Sequence, residues 1–490
     1  MSPAGRPGPR TEAELIHASV HGLRDVHPEM SAATTFSARQ ALAAGLACAG
    51  LAIGLALAPT WALIGLNAVA GAIYAAAFCH AVRWFQVMVE RPGLVAVSDE
   101  EARSAPDASL PVYTVLVAAY REANVIADTI RGLEALDYPA DRLEIRLLLE
   151  ADDRETIEAA RATPHGSSVR IVEVPPAAPR TKPRACNYGL RLTGGELVTI
   201  YDAEDRPEPL QLRRAAIALG RLGPEVACLQ ARLQYHNVHD NYITRSFSAE
   251  YATWFDCMLP ALAAMGGPIP LGGTSMHIRR QVLEAVGAWD PHNVTEDADL
   301  GVRLHRLGYR TQVLDSVTLE EANGDFVNWI RQRSRWYKGH LQTWLVHTRQ
   351  PVRLWRELGP SAFVGFNLVV GASPVLAVLN PLFWLLSGLW FAGHPGLVQT
   401  LFPGPVYYPA MACLVGGNFL TVYRTLVGVR VAGHSELAMT ALLLPLYWLM
   451  MSVAAIRAMV HLLVKPSHWD KTAHGLSGRP APDAWPPPRS

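Results

Sequence analysis

Two apolar segments of the chain each run directly into three acidic residues. The acids that follow Leu147–Leu149 and Leu197–Tyr201 are, in order, Glu150, Asp152 and Asp153, and then Asp202, Glu204 and Asp205. Asp and Glu are rare inside strands, so both sets indicate strand ends. Carboxylates at such an end can share Mg²⁺ or Mn²⁺, hard ions that take carboxylate and phosphate oxygens. The competing interpretation is a pair of solvated turns that cap the following helices.

A third acidic group, Thr295-Glu296-Asp297, lies farther along the chain. Thr295 fits the cap position of a helix, and the helix dipole favours acids in the first turn. The same residues would suit a carboxylate general base, which must lie beside the group that it deprotonates. The local pattern leaves both interpretations open.

A basic and aromatic stretch, Phe326–Leu345, contains the run Gln332-Arg333-Ser334-Arg335-Trp336. Amphipathic helices of this composition lie in membrane interfaces. That interpretation is compatible with a binding role, in which Arg335 holds a diphosphate and Trp336 stacks on a sugar.

Short apolar runs alternate with helical patterns between about 95 and 350, which predicts an α/β domain with a largely parallel sheet. Ligands of such sheets bind beyond the carboxyl ends of the strands, where the acids of this chain are found. The predicted strands are Tyr113–Ala118, Leu143–Leu149, Val169–Val174, Leu197–Tyr201 and Ala227–Gln234. The predicted helices are Ala123–Leu136, Arg184–Leu192, Pro209–Leu219 and Ala298–Leu307.

Long apolar segments flank this domain. Residues 41–82 predict two transmembrane helices, because each half approaches the ~20 residues that cross a bilayer. Residues 361–463 predict about four more, with 361–393 interpreted as a tight helix pair rather than one kinked helix. Residues 1–40 are predicted to be a disordered cytosolic tail, and 464–490 a second cytosolic tail.

The basic residues beside these segments predict that the domain lies in the cytoplasm. Two spans before the domain put it on the same side as the N-terminus, and Arg and Lys flanks favour the cytoplasm. Lys465–Lys471 prefers the same side, which requires an even number of later spans. Arg424 and Arg430 oppose the resulting six-span arrangement, because they would face outward.

The overall composition excludes two classes of protein. Lys+Arg and Asp+Glu both number 43, so there is no broad electrostatic case for nucleic-acid binding. Hydrophobic residues make up 50% of the chain, which excludes global disorder. The six cysteines show no metal-ligand spacing.

The four groups, in this order, resemble family 2 glycosyltransferases of the membrane-embedded, polysaccharide-synthase kind, such as cellulose, hyaluronan and curdlan synthases. That family has a GT-A fold and the pattern D, DxD, TED, QxxRW. The resemblance covers about 110–345 and extends to the flanking spans. It implies a GT-A (Rossmann-like) α/β domain over 95–325, an interfacial amphipathic helix over 326–350, and an inner-membrane location with a cytoplasmic catalytic domain.

The resemblance also implies roles for single residues. Asp297 would be the general base and Glu296 a further catalytic residue. Mg²⁺ or Mn²⁺ would be held by Asp202 with Glu204 or Asp205. The donor would contact Ala119, Tyr120, Glu122, Glu150, Asp152, Lys182, Asp202 and Arg335. The acceptor would contact Gly273, Thr274, Gln332 and Trp336.

The implied reaction is inverting transfer from a UDP-sugar, with UDP-glucose favoured, to a growing β-linked glycan that crosses the bilayer. Two alternatives stay open. One is single transfer to a lipid acceptor, since ceramide glucosyltransferases share a similar motif set. The other is a catalytically inactive secretion subunit. The implied partners are the nucleotide sugar, a glycan or lipid acceptor and the bilayer, with no nucleic acid.

Overall fold

The computed structural model describes residues 11–90, 93–393 and 396–465, so the predicted tail segments 1–10 and 466–490 lie outside the described residues. The strands are β1 (Tyr113–Ala119), β2 (Leu143–Glu150), β3 (Val169–Val174), β4 (Leu197–Tyr201), β5 (Arg206–Pro207), β6 (Val226–Tyr235), β7 (Met276–Arg279) and β8 (Arg310–Glu320). The helices are α1 (Glu12–Val26), α2 (Ala38–Leu57), α3 (Pro59–Val89), α4 (Asp99–Ser104), α5 (Ile126–Glu134), α6 (Arg154–Ala162), α7 (Lys182–Leu190), α8 (Gln211–Arg221), α9 (Tyr242–Thr253), α10 (Leu259–Ala264), α11 (Arg280–Ala285), α12 (Glu296–Arg306), α13 (Phe326–His347), α14 (Pro351–Phe366), α15 (Ser373–Gly393), α16 (Gly396–Leu401), α17 (Gly404–Val431), α18 (Ala438–Leu442) and α19 (Leu444–Val464).

All eight strands form one sheet in the order β3-β2-β1-β4-β7-β6-β8-β5. Strands β3, β2, β1 and β4 are parallel, with Val117 of β1 opposite Leu147 on one side and Tyr201 on the other. β7 runs antiparallel to β4 and β6, and β5 runs antiparallel to β8. The prediction of a largely parallel sheet is therefore wrong at β7 and β5. These strands have only four and two residues, too few to form an apolar run.

Helices cover both faces of the sheet, which explains why its central strands are buried on both sides. All residues of β4 and β6 are buried. One core joins the sheet to α7, α10, α11 and α12, and a second core joins the opposite face to α5, α6 and α8. The five predicted strands are present with ends within one residue, and the four predicted helices correspond to α5, α7, α8 and α12.

Residues 11–40 form regular structure, so the prediction of a disordered tail is wrong for this part of the chain. Helix α1 buries Leu15 and Leu23 against the domain. The Asn187 side-chain amide, on α7, donates to the Ser19 carbonyl oxygen at 3.2 Å. The apolar residues of α1 recur at helical spacing, a signal that its many polar neighbours obscure.

Among the described residues, five helical segments are long and apolar enough to cross a membrane: α2, α3, the continuous segment Pro351–Gly393, α17 and α19. The prediction of six is therefore wrong. The predicted helix pair within 361–393 is one helix with a π-helical segment at Asn367–Ala372, and the chain before it is kinked at Gly359 (φ 74°). That segment immediately precedes Pro374, so the proline is accommodated without ending the helix.

The ends of the last two apolar helices lie against the α/β domain. Gly428, near the end of α17, packs directly on α9. Immediately before α19, the Leu443 carbonyl oxygen accepts a hydrogen bond from the Tyr242 hydroxyl at 2.7 Å. Immediately after α19, the Lys465 carbonyl oxygen lies 3.5 Å from the Lys338 Nζ of α13. Helix α19 therefore runs beside α13 and touches the domain at both ends.

The aromatic side chains of α13 pack against protein, which differs from the exposed face expected of an interfacial amphipathic helix. Trp329 is fully buried, with its ring 5.0 Å from that of Tyr447 on α19. The Trp344 Nε1 donates to the Asn367 side chain at 2.9 Å. Helix α13 therefore joins the domain to the apolar helices.

Candidate active site

A cavity of about 850 Å³ lies beyond the carboxyl ends of β1, β2 and β4, where parallel sheets bind their ligands. The predicted site residues that line it are Ala119, Tyr120, Glu122, Glu150, Lys182, Asp202, Glu204, Gly273, Glu296, Asp297, Gln332, Arg335 and Trp336. Three other predicted residues, Asp152, Asp205 and Thr274, are not among its lining residues.

Lys182 supplies a fixed positive charge beside the acids that follow β4. Its Nζ donates to the Asp202 carboxylate and, at 2.9 Å, to the Gly273 carbonyl oxygen. Burial alone would lower the pKa of Lys182, but the negative charge of Asp202 raises it above its ordinary value. An ammonium group held in this way can contact a diphosphate.

Asp205 points into the domain instead of the cavity. Its Oδ2 accepts a hydrogen bond from the Asp202 N–H at 2.6 Å and another from the Thr274 hydroxyl. Burial, followed by the charges of Asp202 and Glu204, raises the pKa of Asp205 well above its ordinary value. Of the two residues considered as the second metal ligand, only Glu204 is brought to the cavity.

The carboxylates here can hold a hard divalent cation only if a bound substrate supplies further oxygen ligands. Within the described ranges, no cluster of three or more His, Cys, Asp or Glu side chains is placed to hold a metal ion. Asp202 and Glu204 nevertheless face the cavity together. Mg²⁺ in proteins is commonly held by one or two carboxylates and the phosphates of a substrate.

The acids that follow β2 are held by two arginines that the sequence pattern did not indicate. Arg184, fully buried, binds both Glu150 oxygens through Nη2 at 2.7 Å. Arg180 binds Asp152 at the rim through Nη1 at 2.8 Å. Asp153 caps α6. The capping interpretation is therefore confirmed for Asp153 alone.

The turn after β1 is attached to this rim. Arg121 has a left-handed backbone (φ 56°), and its N–H donates to the Asp153 carboxylate. Arg180 donates to the Tyr120 hydroxyl at 3.2 Å, and its guanidinium lies 5.4 Å from the centre of the Tyr120 ring. Tyr120 is thus positioned at the mouth of the cavity by residues from two other parts of the chain.

Glu296 and Asp297 begin α12 and face the cavity. Thr295 occupies the N-cap position, but its hydroxyl makes no capping hydrogen bond, because it packs against Gly339 of α13. Asp297 accepts a hydrogen bond from the Ala298 N–H at 2.8 Å. Burial raises the pKa of both carboxyls, and for Glu296 the charge of Asp297 adds to the effect. A carboxylate with a raised pKa is a stronger base, as deprotonation of a hydroxyl requires.

The loop before β7 approaches Asp297 through a glycine. Gly273 has a φ of +86°, and a Cβ at this position would lie 3.0 Å from the Asp297 Oδ2. The next residue, Thr274, is buried; its hydroxyl donates to Asp205 and lies 3.1 Å from the Ile200 carbonyl oxygen. Thr274 therefore attaches the loop to β4 and is not available to contact an acceptor.

Helix α13 contributes Gln332, Arg335 and Trp336 to the lining. Burial lowers the pKa of Arg335, while the charges of Glu296 and Asp202 oppose the change. The Gln332 Oε1 is buried and has no hydrogen-bond partner among the residues that the structure describes. The helix thus adds a second cation and a free acceptor atom to the cavity.

Two further features of the cavity were not predicted. Glu320, at the end of β8, lines it near Asp202, and burial raises the pKa of Glu320 well above its ordinary value. The strand before Glu320 is interrupted by Asp315, Ser316 and Thr318, so it lacks the apolar run that indicated the other acids. Arg333 pairs with Glu250 at 2.8 and 2.5 Å and lies 4.8 Å from the centre of the Trp336 ring. No sequence signal links Glu250 to this site.

The cavity continues from these residues into the space between α3, α15, α17 and α19. This part is called the bundle arm. Apolar side chains form most of its lining, with a few polar groups among them. The residues that define it are Tyr74, Ala77, Phe78, His80, Ala81, Leu376, Ala377, Asn380, Cys413, Leu414, Asn418, Thr421, Arg424, Trp448 and Met451.

Comparison with known proteins gives consistent results. Residues 111–339 match the family described as glycosyltransferase like family 2. The probable glycosyltransferase YdaM of Bacillus subtilis is 28% identical over 258 residues, which are 51% of this chain and 60% of that protein. The beta-monoglucosyldiacylglycerol synthase of Synechocystis is 27% identical over 383 residues, 75% of this chain and 76% of that protein. The mannosyltransferase PcManGT from Pyrobaculum calidifontis, solved with GDP-Man and Mn²⁺, has a TM-score of 0.48 at 20% identity, covering 78% of this chain and 99% of that chain.

The predicted fold class is confirmed by the family match, by the α/β sheet, and by the apolar helices that precede and follow the domain in the chain. The predicted enzyme class is confirmed as well. The match over residues 111–339 and the relatives named as glycosyltransferases support the transferase class, and the chain is an enzyme of the glycosyltransferase class.

Proposed function

We propose that the enzyme transfers a hexose, with glucose favoured, from a UDP-sugar to a hydroxyl group of a membrane lipid. The observation that carries this proposal is the continuous cavity, which joins the strand-end acids to the apolar bundle arm. A lipid bound in the arm would present its hydroxyl beside Asp297 while its chains remain among apolar side chains. The similarity to a beta-monoglucosyldiacylglycerol synthase over 75% of the chain supports the same acceptor class.

In this mechanism Asp297 takes the proton of the acceptor hydroxyl as the oxygen attacks the anomeric carbon. The bond between that carbon and the diphosphate oxygen breaks as the new bond forms, so the configuration inverts. Lys182 and Arg335 stabilise the negative charge of the departing diphosphate, because both are positive charges held beside the strand ends. A divalent cation held by Asp202 and Glu204 would add to this stabilisation when bound.

A growing β-linked glycan is the second candidate acceptor. The polar groups of the bundle arm favour it, since Asn380, Asn418 and Thr421 could contact sugar hydroxyls. A probable glucomannan 4-beta-mannosyltransferase of Oryza sativa is 26% identical over 54% of this chain. We favour the lipid because most of the arm is apolar, and its polar groups are too few to bond all the hydroxyls of a sugar chain.

We propose that α2, α3, the segment Pro351–Gly393 and α17 cross the membrane, with the α/β domain in the cytoplasm. Helix α19 would then lie along α13 on the domain side, since both of its ends contact the domain. Four crossings leave Lys465 on the same side as α1. With four crossings the end of α17, including Arg430, lies on the domain side of the membrane. Arg430 then no longer faces outward, as it would in the six-span arrangement.

The acceptor proposal can be tested by blocking the bundle arm. Leu414 lines the arm and is 8% exposed, whereas its neighbour Val415 is 47% exposed on the outer side of α17. We expect Leu414→Trp to abolish glucose transfer to diacylglycerol in reconstituted vesicles while UDP binding remains. Val415→Trp is the matched control and should transfer normally. Normal transfer by Leu414→Trp would contradict entry of the acceptor through the arm.

A further inference from the structure

The bundle arm contains a cationic side chain with no counter-ion. The Arg424 Nε is buried and has no hydrogen-bond partner in the described part of the chain. No ion pair joins Arg424 to any carboxylate there. The acid that lines the nearby cavity from α9, Glu250, is already bound by Arg333. A guanidinium with a buried, unpartnered N–H group is costly, and ionisable residues inside a helix bundle usually mark a binding site.

Other polar atoms in the same arm lack partners too. The His80 Nε2 and the Tyr74 hydroxyl, both on α3, are buried without a hydrogen bond to any described residue. His80 and Arg424 line the same arm from α3 and α17, two helices that pack together nearby, where the Phe85 and Tyr423 rings lie 5.5 Å apart. By contrast, the Thr421 hydroxyl donates to the Gly417 carbonyl oxygen at 2.8 Å. The arm therefore presents one cation and two further unpartnered polar atoms to whatever fills it.

We propose that the bundle arm binds the phosphate group of a membrane lipid, with Arg424 as its principal contact and His80 as a second hydrogen-bonding group. A guanidinium binds phosphate through two parallel N–H groups, a geometry that suits a buried site. The apolar side chains around it, such as Leu376 and Leu414, suit the hydrocarbon part of the same molecule. Phosphate is the anion that membrane lipids carry most often next to their hydrocarbon chains.

This site differs from the one that would hold the donor diphosphate. Lys182 and Arg335 lie with the strand-end acids of the α/β domain, whereas Arg424 lies on α17 within the apolar helices. The proposal does not depend on which molecule accepts the sugar, because binding is measured without a donor.

The test uses three probes that separate lipid from phosphate. Dioleoyl phosphatidic acid carries both, dioleoylglycerol carries the same chains without phosphate, and inorganic phosphate carries no chains. We expect the purified full-length protein in detergent to bind phosphatidic acid at least tenfold more tightly than either other probe. Arg424→Gln should weaken phosphatidic acid binding by roughly 10–150-fold, the range for a lost charge-assisted contact, and leave dioleoylglycerol binding unchanged.

Two variants control for folding and for charge. Arg430→Gln removes an exposed arginine from the same helix and should bind phosphatidic acid like the natural protein. Arg424→Lys keeps the charge without the planar fork and should give an intermediate affinity. The amount of UDP bound at saturation reports the folded fraction of each variant. Equal phosphatidic acid binding by Arg424→Gln and the natural protein would overturn the proposal, as would equal affinities for phosphatidic acid and dioleoylglycerol. Inorganic phosphate binding as tightly as phosphatidic acid would overturn the assignment to a lipid.

Discussion

The contact between Gly273 and Asp297 predicts that a single added methyl group should impair catalysis. Gly273 has a φ of +86°, and the Cβ of an alanine would lie 3.0 Å from the Asp297 Oδ2. Ordinary contacts begin at 3.4 Å, so the carboxylate must move by roughly 0.4 Å, the difference between 3.4 and 3.0. Misplacement of a reacting group by about 1 Å lowers the reaction rate roughly 10²-fold. If the logarithm of this loss is proportional to distance, a shift of roughly 0.4 Å should lower kcat about sixfold.

A matched control separates this effect from backbone strain. Gly308 has a φ of +88°, but a Cβ there would meet nothing within 4 Å. Both Gly273→Ala and Gly308→Ala should lose about 1–2 kcal/mol of stability, because alanine disfavours a left-handed backbone. Only Gly273→Ala should lose activity per folded molecule, measured as UDP release by protein quantified through UDP binding. Equal activity of the two variants would refute the placement of Asp297 against this loop.

Three further predictions concern the same acids. Asp297→Asn should lower transfer by ~10²–10⁴-fold with UDP affinity retained, because an amide cannot accept the proton; turnover near the natural rate would exclude the role. Burial raises the pKa of Asp297, and a protonated carboxyl cannot act as a base. We therefore expect kcat/KM to fall as the pH is lowered, with a midpoint well above the ordinary Asp pKa of ~4. A flat profile down to pH 5 would contradict this. Chelation with EDTA should stop UDP release, and added Mn²⁺ should restore it, because Asp202 and Glu204 would otherwise repel the diphosphate; undiminished release would remove the metal from the mechanism.

The elements of the domain were predictable because their signals are local. Strands such as Leu197–Tyr201 are mostly apolar and wholly buried, and the acids that follow them end the pattern sharply. The short strand Met276–Arg279 gave no such signal, because it is held by its neighbours rather than by its own composition. Helix α1 was not predicted, because its few apolar residues stand among many polar ones and the surface that they cover comes from distant parts of the chain.

The candidate site was predictable at the level of residue types but not of side-chain directions. Asp202 and Asp205 are equivalent in the sequence, yet only Asp202 faces the cavity, because Thr274 and a backbone N–H bind Asp205 from within the domain. The partners Arg184 and Glu250 are distant in sequence from the acids and cations that they bind. Long-range pairs of this kind arise from the tertiary fold, and one sequence carries no local record of them.

The most direct test of the central claim is the identity of the product. Purified protein in vesicles that contain diacylglycerol would be given UDP-glucose labelled in the sugar, and the labelled products would be separated by solvent extraction and thin-layer chromatography. We predict that the label moves into the organic phase as one singly glycosylated lipid, with Asp297→Asn as the inactive control. Label that accumulates instead in an alcohol-insoluble polymer would contradict the lipid acceptor and favour the β-linked glycan.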